Sequence, residues 1–478
     1  MTVTLAIAKD EWRYWRRSNL ALAVAALFVV TLVFVTVLTT MGMHAESHER
    51  AHHQADSEQT FLSQPDRHPH RMVHYGHYIF RTPMPLAVFD PGLDSVTGKT
   101  MFLEGHRQNS ATFSASASSA DLGGLSWLTP ALIYQLFAPL LIVIIGHGSV
   151  TREREAGALA PILAQGVSGR TLLAGKTMAL FSFVLLLLVP LAVSALVSLS
   201  DGESLLAIVS LFGVYLLYLS VWITLTLLIS SVLQKRSSVV ATLAAFWLAL
   251  TLVLPTVAVN VASQAAPLAG KIETELTMLN EVRDLSDGHD VDDSVYDNVQ
   301  ASLLEEYGVE RVEDLEVNIR GVLAGMAEAQ LTETLNVYAE RRIEAEKRQA
   351  DLVRGHGWLT PALAIAVASR AVAGTDLDHY HRFLRQAEDL RINFVQGLNR
   401  AHAEELSYID DINRNRDEAS FDASRIDASN WQVLDEFRYE PATASARLAS
   451  AGSSILMLVC WLVLLSGLLV WTGSKLKP

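Results

Sequence analysis

Long uninterrupted apolar runs alternate with polar stretches of very unequal length along this chain of 478 residues. Six runs reach the roughly 20 residues that a helix needs to cross a bilayer: Leu20–Gly42, Leu128–Gly146, Thr177–Leu199, Leu205–Leu233, Val239–Ala262 and Ser454–Trp471. The first is too long for a signal-peptide core and is read as an uncleaved anchor. Before it, Leu5, Ala8, Trp12 and Trp15 recur at helical spacing, with Lys9, Arg13 and Arg16 on the other face. That pattern predicts an interfacial helix over 1–19, because indole rings favour the membrane boundary and basic side chains the headgroups.

Two polar segments are long, 43–127 and 263–453. The first carries scattered Pro, His and Gly and a Ser/Ala-rich stretch at Ser114–Ser119, and reads as a loop-rich, His-rich lobe. The second is acidic and helical in pattern. Phe383, Ala387, Leu390, Phe394 and Leu398 step by three or four; Val322, Met326, Leu331, Leu335 and Tyr338 do so less regularly. Ser286–Ser294 reads as a loop. Trp358–Ala373 is too short to span and is expected to be a buried or membrane-touching helix. The fold class is therefore an all-α integral membrane protein with six transmembrane helices, an interfacial N-terminal helix and a mostly helical outer domain.

Charge fixes the expected orientation. Lys9, Arg13, Arg16 and Arg17; Arg152, Arg154, Arg170 and Lys176; Lys235 and Arg236; and Lys475 and Lys477 all fall on one side if the six runs alternate. By the positive-inside rule that side, with both termini and the tail 472–478, is cytoplasmic, and the two long segments lie outside. The net charge of −14 and the absence of a basic stripe argue against a nucleic-acid partner. Cys460, the single cysteine, leaves no intrachain disulfide. The runs hold almost no ionisable residues, which argues against a proton- or sodium-driven carrier. Pro139, Pro190 and Pro255 mark bends. Tyr215, Tyr218, Trp222 and Thr226, with Thr224, place polar and aromatic groups along the fourth run; they are candidates for lining a pathway, against helix packing.

The polar hairpin 147–176 carries the chemistry. Glu153, Arg154 and Glu155, then Gly157, Leu159, Ile162 and Leu163, predict a short amphipathic helix broken at Gly166 and Gly169, with Gly175-Lys176 returning the chain to the bilayer. This segment resembles the type-2 permease subunits of bacterial ABC transporters, in which a Glu-Arg/Lys-Glu-x-Gly-Thr-Leu segment, an apolar turn and a Gly-Lys lead into the third membrane helix. Glu153-Arg154-Glu155, Gly157, Leu159, Val167-Ser168 and Gly175-Lys176 match; Ala158 and Gly166 depart, and Pro161 is expected to shorten or kink the helix. The stretches His68-Pro69-His70-Arg71, His74-Tyr75-Gly76-His77, Asp90-Pro91-Gly92, Gly105-His106-Arg107-Gln108-Asn109 and Ala373-Gly374-Thr375-Asp376-Leu377 resemble a subgroup with a large outer insertion of unknown function.

The resemblance implies a permease in the bacterial plasma membrane, an exporter by expectation and not itself an enzyme. It pairs with a second permease, a copy or a sister subunit, and is driven by a separate ATPase that holds the ATP and Mg²⁺. Glu153, Arg154, Glu155, Gly157 and Leu159 are the expected ATPase contacts; membrane lipid and a periplasmic protein are the other partners. Two alternatives stand beside this reading: force transmission to an envelope partner without transport, and a membrane-anchored metal-handling protein. The second rests on histidines. His44, His48 and His52 share a helical face, and His68, His70, His74 and His77 cluster, which suits zinc or copper.

Three motifs are weighed and set aside. Gly175-Lys176-Thr177 lacks the first glycine of a phosphate loop and opens a membrane helix. His48-Glu49-Arg50-Ala51-His52 fits the zinc-protease pattern but has no apolar face to bury a site. Asp376, Asp378, His379 and His381 read better as helix-start and packing residues than as ligands.

Overall fold

The computed structural model describes residues 2–111, 128–284, 293–431 and 437–476. The stretch Ser114–Ser119 and most of the loop Ser286–Ser294 lie outside them. Among the described residues, six helical spans are long and apolar enough to cross a membrane: Ala21–Leu62, Pro130–Glu155, Gly169–Ser200, Leu205–Val232, Arg236–Ala265 and Ala444–Lys475. The protein is an all-α membrane protein with one small sheet. "Basic side" below denotes the end carrying the short basic connections, and "lobe side" the other.

Helix α1 (Val3–Arg17) turns at Ser18 into α2 (Asn19–Leu62). The polar stretch after residue 42, expected to be loop-rich, instead stays helical to Leu62. Its i,i+4 polar pairs support it, among them Arg50–Gln54 and Gln54–Glu58. So α2 is a membrane span that continues as a stem.

Prolines in the membrane leave backbone carbonyls without N–H partners, and in hydrocarbon each must be satisfied from elsewhere. The second span widens to a π-turn at Ile133–Phe137 ahead of Pro139, and the fifth at Ala249–Val253 ahead of Pro255. Around these bends, side chains of other helices supply the donors. The Tyr218 hydroxyl donates to the Gln135 carbonyl at 2.6 Å. Trp247 Nε1 donates to Leu136 O at 2.8 Å, and Tyr134 to Leu187 O, beside Pro190, at 2.6 Å. Thr360 Oγ1 donates to Leu250 O.

That last bond belongs to a feature the apolar pattern of Trp358–Ala373 only hinted at. The 37-residue helix Ile319–Gly355 runs beside the lobe-side end of the fifth span, where Gln349 Nε2 reaches Ala266 O at 2.9 Å. The chain turns at His356–Trp358 and returns as Pro361–Ala373, wedged between the fourth and sixth spans. Ten of its thirteen residues are buried. Thr360 starts the helix against Leu250, near the middle of the fifth apolar run. Gly357 permits the turn: a Cβ there would stand 2.6 Å from Met457 Sδ. At the far end, Arg447 pairs with Glu203 at 2.5 Å and donates to Val372 O at 2.9 Å, both charged groups buried. This re-entrant helix joins bundle to lobe.

The lobe is built by both polar segments together. Strand β1 (His77–Phe80) pairs antiparallel with β2 (Thr100–Leu103), His77 opposite Leu103, a hairpin absent from the sequence reading. One core combines Phe61, Met72 and Val73 with Phe394, Leu398, Ile426 and Trp431; a second combines Ile79, Met101 and Leu103 with Phe383, Ala387 and Tyr439. The helix Leu377–Glu405 supplies the stepping residues, as their spacing predicts. Two matching stretches meet at the joint with the bundle. Thr375 Oγ1 donates to Asp90 O at 2.9 Å, Leu93 N to Thr375 O at 2.8 Å, and Ser369 Oγ to Asp90 Oδ2. Gly92 has φ +49°, and a Cβ there would lie 2.4 Å from Thr375 Oγ1.

Candidate functional site

On the basic side the second span ends at a turn held by Ser230, whose hydroxyl donates to His147 O at 2.8 Å and accepts from Val150 N at 3.1 Å. Two short helices follow, Thr151–Glu155 and Leu159–Ala164. The sequence suggests one helix across this stretch. Gly157, at φ +69°, splits it, because a residue in the left-handed region ends an α-helix. Pro161 falls in the first turn of the second helix, where its missing N–H costs little. Gly166, at φ +90°, closes the hairpin, and the Ser168 hydroxyl caps the third span by accepting from Thr171 N at 3.1 Å.

The charged residues expected on an outward contact face are paired within the chain. Glu11 and Lys176 are both 1% exposed. Lys176 Nζ donates to Glu11 and to Glu153, while Arg152 Nη2 donates to Glu11 Oε1 at 2.5 Å. The Arg152 guanidinium also lies over the Tyr14 ring, 3.9 Å from its centroid. Two anions and two cations thus close a neutral cluster that joins α1, the hairpin and the third span. Arg154 Nη2 donates to Ser231 O at 2.8 Å, and Nη1 to Leu233 O, capping the C-terminal carbonyls of the fourth span. Glu155 accepts from Arg236 N at 2.8 Å and Arg236 Nε at 2.6 Å, capping the start of the fifth. Leu159 and Leu163 are buried. What the hairpin shows to solvent is made of small side chains with few charges: Glu155, Ala156, Gly157, Ala160, Pro161 and Ala164, then Gln165, Gly166 and Ser168.

Glu11 was not singled out in the sequence, yet the signal was there. It follows Ala8 by three and precedes Trp15 by four, so it sits on the apolar face of α1, where a lone carboxylate demands a buried cation. Lys176 is that cation. Gly175 beside it lets α1 approach: a Cβ there would meet Ile7 Cβ at 2.7 Å. The pair that imitates a phosphate loop is a helix-docking device. Trp12 completes it, donating to Ser182 Oγ at 2.8 Å, with Trp15 stacked edge-on to Phe183 at 5.8 Å.

The pathway candidates lie inside the subunit. Tyr215, Tyr218, Trp222 and Thr226 are all 0% exposed. Tyr218 holds the Gln135 carbonyl. Tyr215 accepts from Gln135 Nε2 at 2.9 Å and contacts Ser369 Oγ at 3.0 Å. Thr226 lies where Gly146 gives it room, a Cβ there standing 2.9 Å from its methyl.

The histidine candidates separate. His44, His48 and His52 are exposed on the α2 stem, and His52 pairs with Asp56 at 2.9 Å. His68 instead faces Asp411 at 3.0 Å, beside His402. Hydrogen bonds from both rings hold the Asp411 carboxyl far below the ordinary carboxylate range against the opposing effect of burial. His77 is enclosed by Phe61 and Phe394, both ring nitrogens without a partner, and burial pushes it down to about 4. His70 and His74 stay together, Nε2 to Nε2 at 3.3 Å, and are joined by His106. His379 pairs with Asp376 at 2.6 Å and His381 with Glu346 at 2.7 Å.

Six spans, a docked amphipathic N-terminal helix and a hairpin bonded to four of the surrounding elements define the class: a multi-pass membrane protein. The family model described as ABC-2 family transporter protein matches residues 5–304. The chain belongs to that family and is a permease subunit of an ABC transporter, a class whose partner is an ABC ATPase subunit. A domain of unknown function, DUF3526, matches residues 272–440 and so takes in the re-entrant helix and the lobe's long helices. No curated protein matches the chain.

Proposed function

We propose that the permease works as an exporter in the bacterial plasma membrane, its basic side and both termini in the cytosol, paired with a second permease subunit and driven through the hairpin 147–176 by a separate ATPase. The observation that carries this is the wiring of the hairpin. Arg152 bonds to α1, Glu153 to the third span, Arg154 to the end of the fourth and Glu155 to the start of the fifth. A push on the tip is therefore delivered to the bundle rather than absorbed by a loose loop, and coupling requires such a contact that differs between two states. The ATPase contact is Glu155 with Ala156, Gly157, Ala160 and Pro161, small enough to enter a groove; Glu153, Arg154 and Leu159 hold the tip in place. The chain binds no nucleotide, and ATP and Mg²⁺ belong to the partner.

Force transmission to the envelope is a second reading, favoured by one observation. The lobe helices Ile319–Gly355 and Leu377–Glu405 adjoin the re-entrant helix wedged between two spans, so bundle motion reaches the lobe directly.

Ala160→Glu places a charge on the tip without touching the buried cluster. In the reconstituted complex it should lower the stimulated ATPase rate at least about tenfold at unchanged expression, the loss expected for about 1.4 kcal/mol of coupling. Wild-type ATPase and transport in that variant would remove the hairpin from the mechanism. ATP hydrolysis by the purified chain alone would refute the separate motor.

A further inference from the structure

Among the described residues, the lobe offers three groups with the chemistry of a metal site. The first, His52, His53 and Asp56, is exposed on the stem, and His52 already pairs with Asp56 at 2.9 Å. In the second, His68, His402 and Asp411 are buried, but Arg414 donates to Asp411 and Arg320 stands 3.4 Å from it, so cations of the protein already occupy that place. The third is different in kind.

His70 lies in the helix Pro69–Val73 and His74 caps its end, so their i,i+4 spacing puts both rings on one face. Their Nε2 atoms are 3.3 Å apart. Two imidazole nitrogens on a four-coordinate zinc, with bonds of about 2.0–2.1 Å, stand about 3.3 Å apart. His106 comes from the loop after β2, and one ligand nitrogen of each of the three lies within 4.8 Å of the others.

The fold holds that loop in place. Gly105 N donates to Val73 O at 2.9 Å, and a Cβ on Gly105 would be 2.1 Å from Val73 Cγ1, so only glycine allows the approach. His106 itself has φ +63°, an uncommon backbone state for a non-glycine residue and one found at functional sites.

Behind His106 stands a fully buried carboxylate. His106 Nδ1 donates to Glu328 Oε2 at 2.7 Å. That bond places the proton on Nδ1 and leaves the Nε2 lone pair for a metal, the carboxylate–histidine arrangement that orients metal-ligating imidazoles. Arg391 binds Glu328 at 2.6 Å and Glu388 at 2.7 Å, so two carboxylates face one guanidinium and the outer shell is net negative. The three histidines are half-buried, exposed and half-buried in turn, so the group lies at the surface of the lobe.

We propose that His70, His74 and His106 hold one divalent transition-metal ion, zinc or copper, with Glu328 positioning His106 from outside the coordination shell. Three imidazoles suit a borderline cation, and the exposure of His74 makes the ion exchangeable rather than a sealed structural one. This site is independent of the hairpin reading: loss of metal binding would leave that reading untouched.

The test uses the full chain in detergent, carried on a tag without histidines and stripped with chelator, titrated with ZnCl₂ alone. One equivalent should bind, and Co²⁺ in its place should show four-coordinate absorption bands. His74 is exposed, so His74→Ala leaves the fold intact and should weaken binding at least about a hundredfold. Glu328→Gln should weaken it by about 10- to 100-fold while keeping the stoichiometry, the signature of a positioning residue. His52→Ala should bind as wild type does. No retained zinc in the wild type, or equal zinc affinity in His74→Ala, would overturn the proposal; the latter assigns the metal to the stem histidines.

Discussion

Lys176→Met removes one of the two cations from a largely buried cluster. In the wild type Lys176 and Arg152 face Glu11 and Glu153, and the charges cancel. Methionine fills most of the lysine volume, so packing loss is small and the perturbation is electrostatic. Arg152 remains 2.5 Å from Glu11 and 3.5 Å from Glu153, and one carboxylate is left over. Breaking a buried pair from one side costs about 3–5 kcal/mol.

Trp12 and Trp15 pack beside the cluster, which makes denaturant titration in mixed micelles, followed by tryptophan fluorescence, a direct assay. The double variant Lys176→Met/Glu153→Gln leaves Glu11 and Arg152 matched and should recover more than about 2 kcal/mol. A single variant as stable as wild type, or a double variant no better than the single, would refute the claim that this cluster is buried and tightly coupled.

Tyr218→Phe strips the Gln135 carbonyl of its donor and should cost about 1–2 kcal/mol; Pro139→Ala restores a backbone N–H there, so the pair of changes should fall short of additive in a double-mutant cycle. Neutral burial of His77 lowers its folded proton affinity below the ordinary histidine value, so stability falls as pH drops from about 6.5 to about 4. His77→Phe should remove on the order of 3 kcal/mol of that acid sensitivity, read as a flatter stability–pH curve. Gly92→Ala forces a side chain into a left-handed residue packed on Thr375; it should loosen the bundle–lobe joint by at least about 1–2 kcal/mol and speed proteolysis of the lobe.

The apolar runs by themselves determined the six spans, because a bilayer accepts only continuous apolar helices with every backbone group satisfied. The stepping of Phe383, Ala387, Phe394 and Leu398 likewise fixed the buried face of a lobe helix, since helical periodicity is local. The Glu153–Gly157 segment was legible as a distinctive hairpin for the same reason: its signal lies in neighbouring residues. Where those charges go was not legible. Glu153 and Lys176 are close in sequence, but Glu11 is 165 residues from Lys176. Only packing α1 onto the third span, through Gly175, brings them together and turns an apparently outward contact inward.

The histidines show the same division. Sequence places His68, His70, His74 and His77 in one cluster because they are near along the chain. The tertiary fold scatters them: His68 goes to Asp411, His77 to an aromatic pocket, and only His70 and His74 keep company, joined by His106 from the loop after β2. Helix periodicity and hydrophobicity act over a few residues, so one sequence carries them whole. The partners of buried charges and freed carbonyls are chosen by whichever distant segment packs alongside, and that choice belongs to the folded structure.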